Sequence, residues 1–193
     1  LIANIFNMEI ELVMPSNSTR ERVLAMEAFG AKVTLLENIE VCRDYTAEKA
    51  SGGKFYMLDQ FSNPDNPLAH YETTGPEIWR DTAQKVTHFV SAMGTTGTIM
   101  GCSTFLKEKN PSIQIVGCQP TEEASIAGIR RWPKEYLPKI FDAKKVDRIM
   151  DVSQYDAEET TRQLAREEGI FAGTSSGGAA SAALRLSEEL EEG

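Results

Sequence analysis

The stretch Ser91-Ala92-Met93-Gly94-Thr95-Thr96-Gly97-Thr98 is the part of the sequence from which the fold can be worked out. It follows the apolar run at 86–90 and precedes a helical pattern from about 99 to 109. The three pieces together predict a strand, a loop and the first turn of a helix. Because the first N–H groups of a helix lack intrahelical partners and the helix dipole favours negative charge there, this turn suits a phosphate group.

The residues of the loop fit the same interpretation. We expect Gly94 and Gly97 to take positive φ and to let a ligand approach the backbone, while Thr95, Thr96 and Thr98 add hydroxyl donors. The loop lacks the lysine of a P-loop and the spacing of a G-x-G-x-x-G dinucleotide site. The alternative is a tight strand-to-helix turn that binds nothing.

Composition narrows the function classes. The 193 residues make one large domain or parts of two, and 41% hydrophobic with 25% charged residues is ordinary for a globular chain. No run approaches the roughly 18 apolar residues of a membrane span. With a net charge of −9 and no Lys/Arg block, nucleic acid is not an expected partner. The three cysteines lie far apart without metal-ligand spacing, which predicts buried free thiols in a reducing cytosol and no metal site.

The first sixty residues alternate between strand and helix patterns, as in a parallel sheet. Ser18 and Glu21 have the spacing of a capping box, and Gly30 is placed to end the helix that follows. The predicted strands are 10–14, 31–36 and 55–58, and a second helix is predicted at 40–50.

The segment 59–67 interrupts this alternation, because its Asn, Asp and Pro residues stop both helix and strand. We place a domain crossover near Asn63, with a smaller domain at 1–63 and most of a larger one at 64–193. A helix is predicted from 68 to 82, broken at Gly75-Pro76.

A second small-residue loop, Gly173-Thr174-Ser175-Ser176-Gly177-Gly178, follows the strand-like run 170–172. Strands at 113–116 and 148–152, helices at 157–168 and 179–192, and the long irregular stretch 119–147 complete the larger domain. Ligands of open α/β sheets bind at the carboxyl ends of the strands, so both loops are expected at one edge. The pattern alone therefore predicts an α/β protein with a phosphate-bearing ligand.

Six blocks of residues, in this order, resemble the cysteine synthases, which are O-acetylserine sulfhydrylases with the fold-type II architecture of pyridoxal 5′-phosphate (PLP) enzymes. The block Gly-Ile-Arg-Arg-Trp-Pro favours the B type of that family over the A type. The six blocks are 59–67, 70–71, 73–79, 93–98, 128–133 and 173–178.

The resemblance implies a tryptophan synthase β-like fold, with parallel-rich twisted sheets and flanking helices in a mobile smaller domain and a PLP-binding larger one. It implies that O-acetylserine reacts with sulfide, or with thiosulfate in the B type, to give cysteine or S-sulfocysteine. The cofactor-binding residues would be Gly94, Thr95, Thr96, Gly97, Thr98, Gly173 and Ser175. The residues that bind substrate would be Gln60, Arg130 and Arg131, and the enzyme would be a cytoplasmic homodimer.

Three features of the family are not in these residues. One is a strand with the group that faces the pyridine nitrogen of the cofactor, which the resemblance places after Gly193. The Schiff-base lysine in a Lys-Asp-Arg context and the loop that grips the substrate carboxylate are expected upstream of Leu1, so none of the 193 residues is assigned as catalytic. We therefore interpret the sequence as an interior piece of a longer chain. If the 193 residues were the whole polypeptide, no synthase activity would be expected.

Two alternatives remain open at this stage. One is another fold-type II enzyme, either cystathionine β-synthase-like or an O-phosphoserine sulfhydrylase. The other is a non-catalytic α/β module that binds phosphate or PLP weakly.

Overall fold

The computed structural model describes residues 1–190 and divides the chain into two compact units, Leu1–Leu58 and Asp59–Gly193. The boundary between the units falls between Leu58 and Asp59, slightly before the crossover near Asn63 that the sequence predicts.

The first unit contains three helices and a two-stranded parallel sheet. Its elements are α1 Ile2–Ile5, β1 Glu11–Pro15, α2 Arg20–Ala28, β2 Lys32–Leu36 and α3 Ile39–Ser51. Helix α2 ends in a Schellman motif, in which Gly30 at φ +80° donates to Glu27 O and Ala31 N donates to Met26 O. The predicted stop at Gly30 is therefore confirmed.

Over its described residues, 59–190, the second unit contains five helices and a three-stranded parallel sheet in the order β3-β4-β5. Its elements are α4 Asp65–Glu72, α5 Thr74–Asp81, β3 His88–Ala92, α6 Gly97–Lys109, β4 Gln114–Pro120, β5 Arg148–Val152, α7 Gln154–Glu167 and α8 Thr174–Ser187. The long irregular connection between β4 and β5 contains two short 3₁₀ helices, Lys134–Tyr136 and Ala143–Lys145.

Helices cover both faces of the sheet of the second unit. Successive side chains of β4 point to opposite faces, so this strand contributes to the core on each side. Ile115 packs with Leu106 of α6 on one face, while Val116 and Cys118 pack with Ala182 of α8 on the other. All five of these side chains are at most 1% exposed. This arrangement leaves the carboxyl ends of the strands as the edge where loops can gather.

Two predictions in the first unit are wrong. The N-cap of α2 is Thr19 and no side-chain capping bond forms there, so Ser18 and Glu21 make no capping box. Residues 55–58 form no strand. Their apolar side chains resemble a strand, but their backbone joins no ladder, and Tyr56 is 88% exposed.

Two helix boundaries in the second unit also differ from prediction. The break between α4 and α5 falls at Thr73, and Gly75 and Pro76 lie inside the first turn of α5, where proline costs no hydrogen bond. Helix α8 begins at Thr174 rather than at 179 and ends at Ser187, while the last two residues of its predicted range, Glu191 and Glu192, lie outside the described residues.

Within residues 1–190, no helix is both long enough and apolar enough to cross a lipid bilayer.

Candidate functional site: a helix N-terminus at the carboxyl edge of the sheet

The loop between β3 and α6 forms the turn predicted from the sequence, but its strained residue is not a glycine. Thr96, the N-cap of α6, lies in the left-handed region at φ +72°, whereas Gly94 and Gly97 do not have positive φ. The prediction for the two glycines is therefore wrong. They are required for space: a Cβ on Gly94 would lie 2.8 Å from Gly128 O, and one on Gly97 would lie 1.8 Å from Asn66 Oδ1.

Thr96 combines a strained backbone with a buried side-chain hydroxyl that lacks a hydrogen-bond partner in the described part of the protein. A left-handed conformation is a genuine outlier for a β-branched residue and costs about 1–3 kcal/mol. Its side chain is 4% exposed, and its Oγ1 has no hydrogen-bond partner in the described part of the protein. A buried hydroxyl without a partner is costly, so strain and an unmet hydrogen bond coincide at the start of one helix.

The hydroxyl of Thr95 is held from two sides. Asn66 Nδ2 donates to Thr95 Oγ1 at 3.0 Å, and Gly97 N donates to the same oxygen at 3.3 Å. The second N–H of the Asn66 carboxamide donates to Gln60 O at 2.7 Å. One side chain of α4 therefore connects the loop before α6 to the segment at Gln60.

The hydroxyl of Thr98, in the first turn of α6, contacts His70 of α4, the helix that also carries Asn66. His70 Nε2 lies 3.2 Å from Thr98 Oγ1, and His70 Nδ1 lies 2.9 Å from Thr74 Oγ1. Asn66 and His70 are four residues apart on α4 and thus share a face. Neither was assigned a role from the sequence.

Helix α4 can approach α6 this closely because two glycines of α6 face it. A Cβ on Gly97 would collide with Asn66, and a Cβ on Gly101 would lie 2.1 Å from Pro67 O. The spacing of four places both glycines on one face of α6, which indicates a close helix contact there but does not identify α4 as the partner.

The segment after β4 returns to the same loop. Arg130 N donates to Met93 O at 2.9 Å, and Trp132 Nε1 donates to Gly94 O at 2.7 Å. Trp132 also packs edge-on against Phe61, with the ring centroids 5.5 Å apart. The 128–133 block, the 59–67 segment and the loop before α6 are thereby assembled at one end of the sheet.

The second small-residue loop differs from prediction. Residues 170–172 form no strand, and Thr174 to Gly178 belong to α8, whose N-cap is Gly173 without a side-chain capping bond. Gly177 and Gly178 serve helix packing, because a Cβ on Gly177 would lie 2.1 Å from Thr161 Oγ1 of α7. Glycine spacing alone cannot distinguish a ligand loop from such a helix contact.

Ser175 nevertheless lies next to the assembled loops. Gly128 takes φ +95°, and a Cβ there would lie 3.1 Å from Ser175 Oγ. Gly128 is also the residue whose carbonyl oxygen faces Gly94. The first turn of α8 therefore reaches the same edge of the sheet as the first turn of α6.

The two arginines of the 128–133 block are placed differently from each other. Arg131 Nε donates to Pro120 O at 2.9 Å, and its Nη2 forms an ion pair at 2.5 Å with Asp151 Oδ2. The Arg131 guanidinium is thus engaged at the ends of β4 and β5. The Arg130 side chain is half-buried, and its Nη1 donates to Ile129 O at 3.2 Å.

The cysteines are buried free thiols, as predicted. Burial raises the pKa of Cys102 to about 11, and burial is also the main reason that the pKa of Cys118 is raised to about 11. Among the described residues, no group of three or more His, Cys, Asp or Glu side chains could hold a metal ion.

Comparison with known proteins shows the family to which the chain belongs. The family model for pyridoxal-phosphate dependent enzymes matches residues 1–193. The chain is 57% identical to cysteine synthase B of Pseudomonas aeruginosa, with 99% of this chain and 65% of that protein covered. It is 53% identical to cysteine synthase B of Escherichia coli, with 97% of this chain and 63% of that protein covered. The chain thus spans slightly less than two thirds of these relatives.

Solved structures share the fold. An O-ureido-L-serine synthase matches with a TM-score of 0.92 at 30% identity, covering 100% of this chain and 63% of that one. Cysteine synthase from Entamoeba histolytica matches with a TM-score of 0.83 at 33% identity, covering 96% of this chain and 58% of that one. The predicted fold-type II architecture, with parallel sheets and flanking helices, is therefore confirmed. The chain belongs to the family of pyridoxal-phosphate dependent enzymes.

Proposed function

We propose that the protein containing this chain is a PLP-dependent cysteine synthase of the B type. It replaces the acetate of O-acetylserine by sulfide, giving cysteine, or by thiosulfate, giving S-sulfocysteine. The identity of 57% to cysteine synthase B over 99% of the chain supports the reaction class. The observation that carries the proposal is the strained Thr96 at the start of α6, with its buried hydroxyl lacking a partner.

The residues at this helix start fit the phosphate of PLP. Residues 94–98 offer backbone N–H groups and three hydroxyls and carry no carboxylate, which is the donor set an anion requires. An acceptor at the mouth of the loop would supply Thr96 Oγ1 with the partner it lacks. In this proposal Gly94, Thr95, Thr96, Gly97 and Thr98 hold the phosphate. Bound PLP supplies the electron sink for replacement at the β-carbon of the substrate.

Further residues are proposed for the ring and the substrates. Ser175 and Gly173 lie at the start of α8 on the side of Gly128, where they would contact the rest of the cofactor. Gln60 is exposed at the segment tied to the phosphate loop, where its carboxamide is free to bind the substrate carboxylate.

The arginines would receive an anionic second substrate. Arg130 has its guanidinium next to a backbone carbonyl, whereas Arg131 would have to exchange its ion pair with Asp151 for the sulfur donor. Replacing Arg131 by alanine would then reduce the use of thiosulfate more than that of sulfide. An equal loss for both donors would contradict that role.

We also propose a cytoplasmic homodimer, a PLP-binding domain at 64–193 and a smaller mobile domain at 1–63. The three buried free thiols are compatible with a reducing compartment. No residue of 1–193 is proposed as the covalent partner of PLP. The resemblance to cysteine synthases implies a lysine upstream of Leu1 for that role.

The experiment that tests the proposal measures cofactor retention and product formation together. The purified protein is incubated with PLP and dialysed against buffer without PLP, and the PLP that it retains is measured. Cysteine or S-sulfocysteine is then measured after adding O-acetylserine with sulfide or thiosulfate. Retained PLP and both products are expected. Product only from O-phosphoserine, or only with homocysteine as the second substrate, would identify another fold-type II enzyme. Complete loss of PLP during dialysis and no product would overturn the proposal.

A further inference from the structure

We propose that Asn66 of α4 is a positioning residue for the anion site, because it forces the Thr95 hydroxyl to donate its proton to the bound anion. The inference rests on the proposed function, since it concerns the same phosphate-binding loop. Asn66 lies outside the loop and was not assigned to the site from the sequence.

The orientation of the Asn66 carboxamide follows from its partners. Gln60 O lies 2.7 Å from one atom of the carboxamide, and a carbonyl oxygen can only accept. That atom must therefore be the amide nitrogen, which fixes which end is Nδ2 and which is Oδ1. The same nitrogen lies 3.0 Å from Thr95 Oγ1, so it donates there as well. Both N–H bonds of Asn66 are thereby used.

The consequence for Thr95 follows from counting lone pairs. A hydroxyl has one proton and two acceptor positions. Thr95 Oγ1 accepts from Asn66 Nδ2 at 3.0 Å and from Gly97 N at 3.3 Å, and neither of these groups can accept in return. Both acceptor positions are filled, so the proton must go to a third group. At the mouth of the loop that group is the anion, and hydrogen bonds to charged acceptors are the strong ones.

The packing of α6 against α4 holds this geometry. A Cβ on Gly97 would lie 1.8 Å from Asn66 Oδ1, which places the carboxamide directly against the first residue of α6. The neighbouring face residue His70 contacts Thr98 in the same way, but its tautomer leaves the direction of the Thr98 proton open. Of Asn66 and His70, it is Asn66 whose hydrogen-bond partners determine the direction of the proton on the threonine that it contacts.

The test is a double-mutant cycle between Asn66 and Thr95, with the affinity for inorganic phosphate and for PLP as the readout. Thr95→Val removes the hydroxyl and keeps the shape of the side chain, while Asn66→Ala removes the two donors. We expect each single change to weaken phosphate binding about tenfold, because Thr95→Val removes the hydrogen bond to the anion and Asn66→Ala releases the hydroxyl that makes it. Because Asn66 acts through Thr95, the double variant should bind no more than about twofold more weakly than Thr95→Val alone.

Asn110→Ala is the matched control. Asn110 is the C-cap residue at the opposite end of α6, and its carboxamide Oδ1 accepts two hydrogen bonds, from Ser112 N and Ser112 Oγ. Its replacement removes a comparable pair of bonds far from the loop and should leave the phosphate affinity unchanged. Affinity for pyridoxal, which lacks the phosphate, should be unchanged in every variant.

The outcomes separate this inference from the proposed function. If the unsubstituted protein binds neither phosphate nor PLP, the proposed function fails and the inference falls with it. If it binds both but the losses of Asn66→Ala and Thr95→Val multiply to about a hundredfold, Asn66 acts independently of Thr95 and only the inference is overturned. If Asn66→Ala does not fold, Asn66→Leu replaces it in the cycle. Leucine keeps the branched shape of the side chain, removes both donors and adds no charge next to the anion.

Discussion

At the scale of single residues, the site is determined by where a side chain is impossible as much as by which side chains are present. Gly97 is the first residue of α6, and in a helix interior alanine is the better helix former by about 1 kcal/mol. Here a Cβ would lie 1.8 Å from Asn66 Oδ1 and 2.4 Å from Asn66 Cγ. For Gly97→Ala, local helix propensity therefore predicts a gain in stability, whereas tertiary packing predicts a loss.

We expect Gly97→Ala to lower the free energy of unfolding by about 1–3 kcal/mol, because the Asn66 carboxamide must move out of its place. The same movement should weaken phosphate binding about tenfold by releasing Thr95. Urea unfolding and a phosphate titration measure the two effects. Gly52→Ala is the control, since a Cβ there would meet only Lys49 O at the ordinary distance of 3.6 Å. A Gly97→Ala protein more stable than the parent would contradict the packing argument.

The three thiols give a second prediction at this scale. Cys42, Cys102 and Cys118 are each at most 3% exposed, and burial raises their pKa above the ordinary value. Since the thiolate is the reactive form, none should react with a thiol reagent within minutes at pH 8, and all three should react in guanidinium. Rapid modification of one thiol in the native protein would show that the surrounding packing opens.

At the scale of elements, helices α7 and α8 pack through two adjacent glycines that are used differently. A Cβ on Gly177 would lie 2.1 Å from Thr161 Oγ1 and 2.2 Å from Ala157 O, whereas one on Gly178 would meet Ile129 Cδ1 at 3.4 Å. Because Ala157 O is backbone, only separation of the helices could relieve the first clash.

The two glycines therefore form a matched pair for one experiment. Gly177→Ala should destabilise the protein by about 2 kcal/mol or more, because it forces the helices apart. Gly178→Ala should be neutral or stabilise by up to about 1 kcal/mol through helix propensity. Chemical unfolding of both variants measures the difference. Equal stabilities would mean that α7 can move away from α8 without cost.

Elements with a strong local pattern were predictable, and those that depend on tertiary contacts were not. The alternation of strands and helices and the stop at Gly30 follow from periodicity and backbone chemistry within a few residues. The residues 55–58 carry strand-like side chains, but no ladder takes up their backbone. The loop before α6 was identified correctly as a turn. Its strained residue was misassigned because threonine rarely adopts positive φ.

The part of the site that the sequence did not reveal lies on α4. Asn66 and His70 reach the loop only because Gly97 and Gly101 allow two helices to approach closely. That is a property of a helix pair, and neither helix pattern alone contains it. The four-residue spacing of both pairs becomes informative once the two helices are known to be neighbours.

At the scale of the whole molecule, the chain carries a net charge of −9. Its stability in acid depends on which carboxylates have their pKa lowered by neighbouring groups in the folded state. In the first unit, Glu11 on β1 is the most strongly held. Its carboxylate lies 2.6 Å from Lys49 Nζ and 2.7 Å from Thr34 Oγ1, and Lys32 Nζ is 3.5 Å away. The hydrogen bond from Lys49, followed by that from Thr34, lowers the pKa of Glu11 to about 2.

A carboxylate whose pKa is lowered on folding stabilises the folded state at any pH above its unfolded value. For Glu11 this stabilisation is complete above about pH 4.5 and is lost as the pH falls towards 2. We expect it to amount to about 2 kcal/mol, after allowing for the 14% exposure of the side chain. Glu11→Gln should therefore be less stable than the parent at pH 7, and the difference should shrink between pH 4.5 and pH 2.

Urea unfolding monitored by far-UV circular dichroism at pH 7, 4 and 2.5 measures this dependence. Glu9→Gln is the control, because it removes one negative charge from an exposed position two residues earlier on the chain. It should change stability little at any of the three pH values, since surface charges contribute weakly. If Glu11→Gln and Glu9→Gln had parallel stability curves, the acid response would come from the overall charge rather than from the cluster of Lys49, Thr34 and Lys32 around Glu11.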